Sequence, residues 1–356
     1  MLRVLSLSLC ALLWFAALGF AGAAPAHAAG WEDLVEFRDT VKPDTVPDAL
    51  VQQGKIVVQP WTDDEKAEMR DYTAKVFERV PGLFRLGASQ GPIPFYRVNM
   101  GSSFGGHGSL WLSYMNSSVI AHELTHVADA EHKIARSAEF RALVEPRIRE
   151  LRAAMKGQGF TDYASAEGAE RKDIIHASGL PSFYAVATIQ ETLAEYVRAA
   201  AMDPAFKAPP EIEAFLDRRV LNAPSKDDPS VALYRTGKAA RLNRKLQAAY
   251  NQLSQAIESD ADFAEAYIER GLTLLAANQQ QPAIDDFTAA LGLMSEFDWH
   301  RHVPYTKRGT ALALMGQYDA AMTDLLEAKR LSPKEAGLDT TIAQVKFMAD
   351  RANKRK

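Results

Sequence analysis

His122-Glu123-Leu124-Thr125-His126 sets two imidazoles four residues apart with a carboxylate between them. On a helix that spacing puts both rings on one face, where they can reach a single metal ion, and Glu123 stands beside them as a general base. The chemistry such a group performs is metal-assisted hydrolysis. Zinc lowers the pKa of a bound water, and the Glu takes its proton and passes it to the leaving amine of a peptide. The chain's one cysteine, Cys10, lies in an apolar leader, so zinc must rest on imidazole and carboxylate ligands.

Two imidazoles leave a catalytic zinc one protein ligand short. His132 stands six residues beyond His126, the spacing of metzincin peptidases, but Asp129 occupies the place where their helix needs a Gly to turn back. On an unbroken helix six further residues rotate His132 by about 240° away from His126. Glu191 and Glu195, in Gln190-Glu191-Thr192-Leu193-Ala194-Glu195-Tyr196, share one helical face. One of these carboxylates can bind the metal while the other orients a ligating imidazole from behind. His176 is a nearer candidate with no motif around it. Asp129, three residues past His126, is either a partner that orients an imidazole or a helix-surface acid, and His107, among glycines, can border the site.

The elements that must position these groups follow from local pattern. The motif lies in a helix-compatible stretch from Ser118 to about Arg136, after Asn116-Ser117. Thr62-Asp63-Asp64-Glu65 opens a helix as a cap with an acidic first turn, and Pro81 ends it. Ile93 to Val98 and Ser109 to Tyr114 read as strands, with the Gly-rich 101–108 as the loop between them. A strand just before a metal helix suits a peptidase, which can hold an extended substrate on a sheet edge. Helices are expected from Ala138 to about Lys156, through Ser165 to His176, and from Thr188 to Met202. The proline-rich 206–230 then reads as a linker.

Beyond it the chain repeats itself. Gly237, Gly271 and Gly309 are each followed twelve residues later by Ala (Ala249, Ala283, Ala321) and nineteen later by Ala (Ala256, Ala290, Ala328). The Gly spacings are 34 and 38, which places a four-residue insertion near Glu296 to His302. Helix-turn-helix units of this period, with Tyr267, Tyr305 and Pro333 at their characteristic places, resemble tetratricopeptide repeats, which hold peptide segments of protein partners.

His-Glu-Leu-Thr-His-Val-Ala-Asp, then Ser182-Phe183-Tyr184-Ala185, then Glu191-Thr192-Leu193-Ala194-Glu195 resemble the anthrax lethal factor type of gluzincin metallopeptidase. The resemblance implies that His122, His126 and Glu191 bind zinc. It also implies that Glu123 is the base and that Tyr184, seven residues before Glu191, stabilises the oxyanion of the tetrahedral intermediate. Glu195 and Asp129 are then the supporting carboxylates.

The expected fold is an α+β zincin-like metallopeptidase domain over 29–205, a linker over 206–230, and an all-α repeat domain over 231–350. Residues 1–28 read as a cleaved secretory signal, with Arg3, an apolar run to Phe20 and Ala26-His27-Ala28 at its end. The expected location is therefore the periplasm, or alternatively the exterior, with no membrane span after cleavage. A formal charge of −4 and a basic end confined to Arg351–Lys356 give no nucleic-acid patch. The function expected is hydrolysis of a peptide or protein substrate delivered by the repeats. The rival reading is an inactive exported scaffold that works through the repeats alone.

Overall fold

The strands owe their places to alternating apolar residues that must be covered on both faces. A computed structural model describes residues 30–41, 51, 54, 56–106, 108–166, 172–221 and 229–353. The leader over 1–28, His107 and 222–228 of the expected linker lie outside the described residues. In a mixed sheet, β1 (Val35–Arg38), β3 (Ile93–Val98) and β5 (Ser109–Leu112) run parallel, and β4 (Phe104–Gly106) pairs antiparallel on the edge of β5. The short β2 (Val58–Gln59) pairs antiparallel with the end of β3. Ile93, Phe95, Leu110 and Leu112 enter the main core against the helices. Tyr96, Val98 and Trp111 form a second cluster on the opposite face, where Tyr96 stacks on Trp111 at 4.4 Å.

Helices α1 (Asp63–Arg79) and α2 (Pro81–Gly87) flank the sheet. Thr62 and Glu65 close the first with a reciprocal capping box, which satisfies two amides that have no partner inside the helix. The motif helix α3 spans Ser117–His132, capped by the Asn116 side chain and ended by Lys133 in a left-handed conformation. It stops earlier than its sequence pattern suggests, and Ile134 and Ala135 turn back into the core. Helix α4 (Ala138–Gly157) follows, then a short turn at Tyr163–Ala166, then α5 (Lys172–Ser178). Helix α6 (Ile189–Met202) packs along α3 and is nearly all buried.

Two expectations are corrected here. The Gly-rich 101–108 is not all loop, because it contains the edge strand β4. Its glycine serves close packing rather than a turn, since a Cβ on Gly105 would fall 1.8 Å from the Glu123 carbonyl oxygen. The expected linker is largely structured as well. Helix α7 (Pro210–Leu216) and the turn Asp217–Leu221 bury Ile212, Phe215, Leu216 and Val220 in the main core. Apolar residues between the prolines supply that burial, which composition alone conceals.

The repeats form three helical hairpins and a last helix. These are α8 (Pro229–Leu242) with α9 (Leu246–Ser259), α10 (Ala264–Ala276) with α11 (Gln280–Leu293), α12 (His302–Leu314) with α13 (Tyr318–Leu331), and then α14 (Leu338–Asn353). Gly237 and Gly271 let the paired helices approach until a Cβ would meet Leu253 at 2.7 Å and Phe287 at 2.8 Å. The six recurring alanines are fully buried.

The four-residue insertion docks the array onto the first unit. Phe297 enters the main core with the Arg152 guanidinium 4.5 Å from its ring centre, and its carbonyl accepts from the Ile189 N–H at 3.3 Å. Arg136 donates to buried Asp298 and to Glu265, both at 2.5 Å. Among the described residues no helix is long and apolar enough to cross a membrane.

Candidate metal centre

Helix α3 presents His122 and His126 one turn apart, and α6 brings Glu191 to them from 65 residues further along the chain. Glu191 Oε2 lies 3.0 Å from His122 Nε2 and 3.3 Å from His126 Nε2, and the two Nε2 atoms are 3.3 Å apart. One atom from each residue that could ligate a metal lies within 4.8 Å of the others. Yet buried Glu191 Oε2 has no directed hydrogen bond. Three groups that can each offer an electron pair converge on one point, and this set fits a divalent metal with mixed nitrogen and oxygen ligands, zinc foremost.

Carboxylates support this arrangement from behind. Glu195 Oε1 lies 3.0 Å from His122 Nδ1, while Ser182 and Arg198 donate to the same carboxylate at 2.6–2.8 Å. Burial raises the Glu195 pKa, but the hydrogen bonds from His122, Arg198 and Ser182 outweigh it and bring the carboxyl to about 2. An ionised Glu195 makes Nδ1 the donor, which leaves Nε2 facing the candidate site as the nitrogen that could ligate a metal. In the metal-free chain burial works against a charged His122, but Glu191 and Glu195 hold it protonated to about 9. Burial also opposes the Glu191 carboxylate, and the facing imidazoles nonetheless lower it to about 2.

Glu123 stands beside the pair, with Oε2 accepting from the Gly105 N–H of β4 at 2.7 Å. Burial raises its pKa against the opposing pull of His122 and His126. Tyr184 lies in the turn Tyr184–Val186, 37% exposed, with its ring 5.9 Å from that of His122. Burial and then the Glu191 charge push its hydroxyl well above the ordinary range, so it remains a donor.

The structure thus brings together His122, Glu123, His126, Tyr184, Glu191 and Glu195. It does not do so for Asp129 in the role expected of it. Asp129 Oδ1 accepts from the Ala135 N–H at 2.7 Å and closes the turn after α3, so its carboxylate holds main chain rather than an imidazole. His132 bonds the Leu86 carbonyl at 3.0 Å instead of joining the site. The His176 side chain is not among those described.

A cleft of about 930 Å³ opens over these groups, walled by β4, α3 and the start of α6. Lys238 and His300 reach it from the repeats. The sequence gives no sign that the second unit helps to wall the cleft, because the contact depends on how the insertion docks. Gln190, next to Glu191, also lines the cleft and was not singled out by any motif.

No protein-family model matches this chain, and no curated protein matches it. Among solved structures, the first tetratricopeptide domain of Spaghetti (RPAP3), bound to an HSP90 peptide, is 15% identical, covering 33% of this chain and 91% of its own at a TM-score of 0.32. The Arabidopsis OM64 tetratricopeptide domain is 24% identical, covering 33% and 95% at 0.32. The Yersinia enterocolitica type III secretion chaperone SycD, in complex with a peptide of the translocator YopD, is 16% identical, covering 37% and 98% at 0.31. These likenesses concern helical hairpins over about a third of the chain. The repeat assignment rests on the hairpins and spacing already described.

Proposed function

We propose that this chain is a zinc-dependent metallopeptidase of the gluzincin type, with His122, His126 and Glu191 as ligands. The observation that carries the reading is their convergence from two helices, with Glu191 Oε2 left out of any directed hydrogen bond. Bound zinc would supply Lewis acidity, polarising a peptide carbonyl and making a water acidic enough to lose its proton near neutral pH. Glu123 accepts that proton and delivers it to the leaving amine, and the Gly105 N–H holds its carboxylate in place for both transfers. Tyr184, kept protonated, donates to the oxygen that gains charge. Strand β4 offers a sheet edge to an extended peptide in the cleft.

The repeats take part as a partner or substrate surface, since stacked hairpins expose a continuous face and Lys238 and His300 join the cleft wall. Export to the periplasm is proposed on residues 1–28 alone.

Metal analysis of the purified chain tests the centre. About one zinc per chain is expected, retained in His132→Ala and lost in Glu191→Ala, together with zinc-dependent cleavage of denatured casein. A metal-free wild type, or zinc that survives Glu191→Ala, would sink the assignment.

A further inference from the structure

The first turn of α6 carries a side chain that the proposed chemistry leaves unused. Gln190 is 7% exposed and lines the cleft beside Tyr184, Glu191 and His300. Neither its Nε2 nor its Oε1 has a hydrogen-bond partner, and among the described residues no other side chain has two buried polar atoms in that state. The cap and main chain on either side of it are engaged. Thr188 Oγ1 accepts from the Glu191 N–H at 3.1 Å, and the Ile189 N–H reaches the Phe297 carbonyl at 3.3 Å. The helix end is therefore held by its cap and by the repeats while the carboxamide at its centre is held by neither. Leaving a donor and an acceptor both unmade in the interior is unfavourable, and such a group in a native fold marks a missing partner.

A carboxamide presents a donor and an acceptor in one plane, and its natural complement is another amide, the N–H and C=O of an extended peptide. The terminal torsion of Gln is soft, so the group can turn toward a ligand in the cleft without leaving its rotamer well. We propose that Gln190 is a substrate-positioning residue that pairs with the main chain of a polypeptide lying in the cleft. The cleft then recognises extended main chain as a class, through a contact indifferent to the substrate's side chains. This inference rests on the metallopeptidase reading and adds a residue to it.

Two probes separate contact with the main chain from contact with the metal: acetohydroxamate, a zinc-binding group alone, and a hydroxamate carrying an Ala-Ala main chain. With zinc-loaded full chain, the peptide hydroxamate is expected to bind at least about ten-fold more tightly than acetohydroxamate. Gln190→Met should remove about ten-fold of that margin while leaving zinc content and acetohydroxamate affinity unchanged. The same substitution should raise the Tm of the metal-free chain by about 2 °C, because it replaces an unpaired buried amide with an apolar side chain of similar length.

A wild type that binds both probes alike overturns the proposal. So does a margin unchanged in Gln190→Met, which would assign a buried water to the amide, or a fall in Tm, which would show Gln190 bonded within the fold. Absence of zinc from the wild type is read beforehand from metal content, and it removes the metallopeptidase reading and this inference with it.

Discussion

In the repeats Arg270 forks onto Asp286 at 2.9 and 2.7 Å, and one unit later Arg308 forks onto Asp324 at 2.7 and 2.8 Å. In the N-terminal unit charge is handled differently. Glu191 Oε2 meets two imidazoles without a directed hydrogen bond, half-buried Glu123 stands between a backbone amide and two histidines, and the Gln190 carboxamide has no partner. The repeats place small residues at their helix crossings and set Arg270 and Arg308 each on a carboxylate, and there a single glutamine oxygen, Gln252 Oε1, lacks a partner. In the cleft three such atoms fall on two adjacent residues, Gln190 and Glu191. Such departures concentrate where a fold is shaped for something it does not itself contain.

The sharpest way to break this contrast is at Glu123. Glu123→Gln keeps the shape and the Gly105 contact while removing the proton acceptor. The kcat for casein cleavage should fall by about 10³-fold with zinc content unchanged. Activity within a few-fold of wild type would show that this carboxylate serves packing, and the contrast between the two regions would lose its functional meaning.

The next effect lies where the regions meet. Phe297→Ala removes an aromatic side chain from the main core and from the Arg152 face, and should cost about 3–4 kcal/mol in urea unfolding. Phe287→Ala, within the repeats and against Gly271, should cost a similar amount. Only Phe297→Ala is expected to loosen the repeats from the first unit, seen as faster proteolysis at the junction with both units still helical. Equal protection in the two variants would mean that the insertion is not the clamp.

Glu195→Gln tests the supporting layer on a smaller scale. The amide can still accept from His122 Nδ1 but no longer carries charge, so zinc affinity in competition with a chelator should fall by about 10- to 100-fold. An unchanged affinity would leave Glu195 as a structural partner of Arg198 alone.

The two regions also differ in how far they were legible in the sequence. The repeats could be read from three glycines and six alanines because their contacts lie a few tens of residues apart and recur. His122, Glu123 and His126 were legible for the same reason, since a helix fixes their relation within five residues. The third member of the cluster was not, because the residues alone left His132, His176 and the Glu191–Glu195 pair open. Only the packing of α6 on α3 brings Glu191 to the imidazoles. Strand β4 was hidden because glycine signals a turn and a close approach equally well. The role of Asp129 was misread because its partner, the Ala135 amide, exists only once the helix has ended at Lys133.

The smallest expected effect is one of pH at the junction. Arg136, Asp298, Lys133 and His302 surround His300, and burial followed by the Arg136 charge holds its pKa down to about 3. Arg136 donates to His300 Nδ1, a contact that requires the neutral ring. In the unfolded chain the same ring titrates near ~6.5. Between these values the unfolded state binds a proton that the folded state refuses, so stability falls as pH drops through about 6.5 toward 3. Asp298 acts in the same direction at lower pH. Burial raises its pKa but Arg136 more than offsets this, so its contribution is present above the unfolded carboxyl value and lost as pH falls through the lower folded one. The His300 side chain is 40% exposed, and water screens much of the effect. His300→Gln should therefore gain on the wild type in Tm as pH is lowered from 7.5 to 5.5. A Tm offset that stays constant across that range would place the ring outside the junction's electrostatics and leave Arg136, Glu265 and Asp298 as the whole of it.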